Sequence, residues 1–178
     1  MTAAFLRDAA MLTVIFGFFG MAWFGWAQEA PPANARRLLG AGSILSALLA
    51  AIAGVLAWRH WNDGSAIDAE SGPRFGIIVG VEFAIAGIGA AVLAVRKKSE
   101  YTAPWIAFVV GVHFIPLASL LQMPLLFPAG ALVAVGAWTS VRIARARDVT
   151  ISYVTGLLTG SVLLLCGAVS LLQALTAY

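Results

Sequence analysis

Six long apolar runs, nearly free of charge, follow one another along the chain, separated by short polar or basic clusters. A helix that crosses a bilayer needs about 20 mostly apolar residues. The runs meet that length, so they predict helices over residues 9–27, 38–58, 74–95, 103–121, 125–143 and 150–177. They are continuous and do not alternate, which argues against a membrane β-barrel, whose strands are about 10 residues of alternating polarity. The expected fold class is therefore all-α: an integral membrane bundle of six transmembrane helices in a single membrane domain, residues 1–178.

The breaks support these boundaries. Pro31-Pro32-Ala33-Asn34 forms a turn, because successive prolines have no place inside a helix. Residues 59–73 make one long polar loop with turn signals at Asp63-Gly64 and Gly72-Pro73. Gln122-Met123-Pro124 is a tight, uncharged link, with Pro124 or Pro128 opening the next helix. Gly25-Trp26-Ala27 has the small-x-small form of a signal-peptide cleavage site, but the run before it exceeds the usual apolar core of about 7–15 residues.

Charge then orients the bundle. Eight of the eleven Lys and Arg residues (Arg36, Arg37, Arg96, Lys97, Lys98, Arg142, Arg145 and Arg147) fall on the side of the odd-numbered connections, and Arg7, Arg59 and Arg74 fall on the other. The bias of Lys and Arg toward the cytoplasm puts the basic turns inside and both termini on the extracytoplasmic side. Trp23, Trp26, Trp58, Trp61, Trp105 and Trp138 all lie near run ends, where an interfacial aromatic belt belongs.

Composition agrees: 61% of residues are hydrophobic and 11% charged, with a mean hydropathy of +0.93. Soluble domains carry about 25% charged residues. The formal charge of +3 does not imply nucleic acid, because the basic residues cluster at helix ends. The single Cys166 lies inside an apolar run and is read as a small core residue.

Two runs each carry one ionisable residue in mid-span: Ile78-Val79-Gly80-Val81-Glu82-Phe83 and Val109-Val110-Gly111-Val112-His113-Phe114. Glu82 precedes the basic turn at Arg96 by a path of about 21 Å, and His113 follows Tyr101 by about 18 Å, at 1.5 Å per helical residue. Consecutive antiparallel helices bring the two to nearly one depth. A charged side chain at mid-bilayer costs about 3 kcal/mol, so each should face the bundle and find a partner. Burial and ion pairing act in opposite senses on the protonation of each group.

Pro116 removes the amide that would bond the carbonyl of Val112, beside His113, as in the broken helices that line transporter sites. Glu82, His113 and Pro116 are thus the candidate substrate or proton site, with Gln122 and Gln173 as secondary candidates; the bland reading is a polar clasp and a tolerated membrane proline. No metal or cofactor is expected, since one Glu and one His fall short of the three or four ligands zinc takes. No P-loop, GxSxG, HExxH or CxxC motif suggests an enzyme. Asp63, Asp68 and Glu70 lack calcium-loop spacing and read as a solvated loop. Gly76/Gly80 and Gly156/Gly160 share the GxxxG spacing that lets helices pack closely.

The stretch from Trp105 to Ala118 (Trp-Ile-Ala-Phe-Val-Val-Gly-Val-His-Phe-Ile-Pro-Leu-Ala), with Gly80-Val81-Glu82-Phe83, resembles a family of small bacterial multi-pass membrane proteins of no assigned activity. Ser119 departs from the basic residue often found there in that pattern. The resemblance implies the bacterial inner membrane and supplies no mechanism. The function expected is a small transport or permeation protein, oligomeric and in the first instance a homodimer, moving a proton, cation or small substrate past Glu82 and His113. The alternative is a membrane sensor, accessory subunit or lipid-binding module in which the Glu–His contact is structural. The bilayer is the expected surrounding, and nucleic acid is not an expected partner.

Overall fold

The computed structural model describes residues 5–176, and these fold into six helices: α1 (Leu6–Trp26), α2 (Arg36–Arg59), α3 (Ser71–Val95), α4 (Thr102–Leu120), α5 (Leu126–Ala146) and α6 (Ile151–Thr176). A 3-10 turn, Ser99–Tyr101, leads into α4. No strand occurs among the described residues, and all six helices are long and apolar enough to cross a membrane.

Several helix ends differ from the expected ones. Helix α3 opens at Ser71, so the polar connection ends three residues before Arg74. Asp68, two residues before the N-cap Glu70, braces this start: its Oδ1 accepts from the amides of Glu70 (3.0 Å) and Ser71 (2.8 Å) and from the Ser71 hydroxyl (2.8 Å). Pro73 then sits in the first turn, where no helical N–H is needed. Helix α2 begins at Arg36, and α5 runs past Ile143 to Ala146, because Ala and Arg are good helix formers whatever the end of the apolar run. The expected end of the last helix at Ala177 lies outside the described residues.

Helices α3, α4 and α5 end in one way. The amide of Lys98 donates to Leu93 O (2.8 Å), that of Met123 to Ala118 O (3.0 Å) and that of Val149 to Ala144 O (3.0 Å). Between each donor and its helix sits a left-handed residue: Lys97 (φ 56°), Gln122 (φ 53°) and Asp148 (φ 51°). This is the Schellman closure, with the place glycine usually takes filled by other residues.

Helix α1 packs extensively against α2 and α6, α6 also meets α2, α4 and α5, and α5 joins α4 to α6. Backbones meet at glycines. A Cβ on Gly156 would lie 2.5 Å from Trp23 O, and one on Gly130 would lie 2.5 Å from Gly111 O. Hydroxyls tie the α1–α6 and α5–α6 seams: Thr13 Oγ1 donates to Gly167 O (3.4 Å), Ser170 Oγ to Ala9 O (2.9 Å) and Thr155 Oγ1 to Ser140 Oγ (2.8 Å). The two GxxxG pairs part company here. Gly156 and Gly160 face α1, whereas a methyl group added at Gly76 or Gly80 would meet no atom within 4 Å.

Helix α3 stands at the edge. Among the described residues it packs only on α4 and the 3-10 turn, and no residue in it is buried. The connection before it is pinned elsewhere, on the start of α1. Asp8, only 7% exposed, accepts from Ser65 Oγ (2.8 Å) and the Ala66 amide (2.6 Å). Arg7 donates to Trp61 O (3.0 Å) and lies 4.8 Å above the Trp61 ring.

Candidate functional site

Glu82 leaves α3 and His113 leaves α4 at the same level of the antiparallel pair, and Glu82 Oε2 meets His113 Nε2 at 3.2 Å. Their side chains are 13% and 14% exposed, so neither points out of the bundle. The other imidazole nitrogen, Nδ1, lies 2.8 Å from Val110 O. A carbonyl can only accept, so Nδ1 carries a hydrogen.

That assignment limits what the Glu–His contact can hold. With Nδ1 protonated, a neutral imidazole presents a bare lone pair at Nε2. A bare lone pair 3.2 Å from a carboxylate oxygen is repulsive, so the contact needs one further proton, on Nε2 or on the carboxyl. The contact as drawn therefore calls for one proton beyond that on Nδ1, placed between an imidazole fixed by its bond to Val110 O and a carboxyl carried by α3.

A second contact joins the same two helices. The Trp105 indole lies against Gly89 so closely that a Cβ there would fall 2.0 Å from Nε1, and Nε1 donates to Ile85 O at 3.4 Å. Its position near a run end assigns Trp105 to an aromatic belt; the partner glycine, sixteen positions earlier in the chain, gives no signal of its own in the sequence.

Pro116 lies inside a continuous α4, one turn beyond His113. The secondary candidates belong to other places. Gln122 is the left-handed residue of the α4–α5 turn, nine positions past His113, and its role there is to close a helix. Gln173 is half-buried in the last turns of α6. Cys166 is half-buried and packs against the main core cluster. Among the described residues, no three His, Cys, Asp or Glu side chains gather where they could hold a metal ion.

At the basic end the three odd connections converge. They border an open cleft of ≈ 790 Å³ lined in part by Trp26, Glu29, Glu100, Arg145 and Asp148. Thr150 Oγ1 donates to Ala30 O (3.1 Å) across it, and Arg145 donates to the Tyr101 hydroxyl. Neither Glu82 nor His113 lines this cleft.

No protein-family model, curated protein or solved structure matches the chain.

Proposed function

We propose that the chain is a small membrane transport or permeation protein that handles a proton, or a substrate exchanged for one, at Glu82 and His113. The observation that carries this reading is the 3.2 Å contact between two largely enclosed ionisable groups, which by hydrogen-bond chemistry calls for a proton beyond that on Nδ1. Ionisable residues within membrane helices are costly, and they mark ion and proton pathways. In this reading the bundle lies in a bacterial inner membrane with its basic turns in the cytoplasm and both termini outside. A homodimer is the assembly proposed.

A second reading draws on the attachment of α3. The Glu82–His113 contact and the Trp105–Ile85 bond are its polar ties to α4, so the pair also suits a clasp in a sensor or accessory subunit.

Reconstitution separates the two. Proteoliposomes carrying a pH-sensitive dye, under an imposed pH gradient, should show flux in the native chain and background flux in Glu82→Gln, with the variant inserted and folded to native yield. Equal flux in both removes the transport reading. Loss of folding in the variant favours the clasp.

A further inference from the structure

Helix α3 is fastened to the bundle unevenly along its length. Residues Ser71 to Val81 make no hydrogen bond to another helix among the described residues; this half is held by the packing of Phe75 and Ile78 against the core, contacts that lipid tails can replace, and at its very start by the Ser71 hydroxyl, which donates to Ala66 O (3.1 Å). The polar ties to α4 come in the other half, at Glu82–His113 and at Trp105–Ile85. These two lie about 10 Å apart along α3, counting from Glu82 to Gly89 at 1.5 Å per residue. The Trp105 tie is set by shape and by a neutral N–H, so it does not titrate. The Glu82 tie exists only while one proton sits in it.

We propose that α3 is a gate on the bundle, pivoting where the Trp105 indole seats on Gly89 and latched by the proton that Glu82 and His113 share. When the proton leaves, the carboxylate faces a lone pair, the latch repels, and the half of α3 from Ser71 to Val81 swings off α4. That exposes the pair from the end carrying the 60–70 connection. The bonds of Ser65 and Ala66 to Asp8 keep this connection on α1 and so limit the swing. Trp105 is a positioning residue: it sets the axis and touches no proton.

The charged surroundings leave the latch to this pair. Helix α3 packs only on α4 and the 3-10 turn among the described residues. Helix α4 has His113 as its one titratable residue. In the turn, Glu100 and Tyr101 sit about 18 Å along the helix from His113. On α3 itself the other charge is Arg74, in its first turns.

This inference rests on the proton-site reading above, and its test fails separately from it. The protein in liposomes, with Cys166→Ser, carries spin labels on exposed positions: Ile77→Cys on the latched half of α3 or Val92→Cys on the pivoted half, each paired with Leu132→Cys on α5. Double electron–electron resonance should show the 77–132 distance lengthening by several ångström as pH rises through the release of the shared proton. The 92–132 distance should hold. In Glu82→Gln the amide donates to Nε2 without titrating, so the 77–132 distance should stay short at every pH. In Trp105→Phe, which loses the N–H, the pH midpoint should shift and the 92–132 distance should broaden. A 77–132 distance that ignores pH, while flux still requires Glu82, overturns the gate and leaves the site. A pH-driven change that persists in Glu82→Gln overturns the latch.

Discussion

The bond between Glu82 and His113 can be weighed directly by a double-mutant cycle with Glu82→Leu, His113→Leu and the double variant, none of which can replace the hydrogen bond. The two side chains are 13% and 14% exposed, so each is largely cut off from water. Two magnitudes compete. Breaking a buried ion pair by removing one partner costs about 3–5 kcal/mol when the orphaned charge must stay charged. Here it need not: an orphaned Glu82 can take up a proton and become neutral. At pH 6, proton uptake by an ordinary glutamate costs about 2 kcal/mol, less than the roughly 3 kcal/mol of a charge held at mid-span, so the neutral outcome wins. Polar contacts between membrane helices then set the scale, averaging about 0.6 kcal/mol and reaching about 1.7. The expected coupling is therefore about 0.5–2 kcal/mol, read from reversible unfolding in mixed micelles. It should be present while the pair keeps its shared proton and should vanish as pH rises past the release of that proton. A coupling within error of zero throughout would mean that the two groups merely lie side by side.

Three further outcomes follow from the packing. Gly156→Ala places a methyl 2.5 Å from the Trp23 carbonyl and should destabilise by about 1–3 kcal/mol, whereas Gly76→Ala meets open space and should be neutral or slightly stabilising in the same melts. Bonds from the Ser71 amide and hydroxyl, then the Glu70 amide, hold Asp68 below its ordinary carboxylate range. A lowered folded-state value stabilises above the unfolded value and is lost as pH falls through the folded one. Hydrogen exchange at Glu70 and Ser71 should therefore quicken, relative to neighbouring loop amides, only below the usual Asp range, and an unchanged ratio at low pH counts against this brace. Asp8→Ala leaves Ser65 and Ala66 without their acceptor and should raise protease cleavage within residues 60–70 several-fold, with the helices intact by circular dichroism.

How much of the fold and the site is legible in the sequence follows from the kind of signal each feature leaves. The six helices are visible because an apolar run of membrane length has few other uses. The meeting of Glu82 and His113 is visible as well, because two distances to one turn fix relative depth in antiparallel neighbours. Rotation about each axis is not. Helix α3 is apolar all round, so nothing in Ser71–Val95 marks it as an edge helix, and Gly76/Gly80 carry the same spacing as Gly156/Gly160 with the opposite fate. The turns themselves are marked, but the left-handed closures at Lys97, Gln122 and Asp148 are not, because the usual glycine is missing from each. Polarity alone makes Gln122 a site candidate, and its backbone gives it a different job. The Asp8–Ser65 bond spans 57 positions, a distance no local pattern reports.

The most direct test of the shared proton is ¹⁵N solid-state NMR of His113 in liposomes, with His60→Gln so that one imidazole gives the signal. Nδ1 should stay protonated across the pH range, and Nε2 should show a single titration step that shifts in Glu82→Gln. An unprotonated Nδ1, or a step that ignores Glu82, would contradict the shared proton.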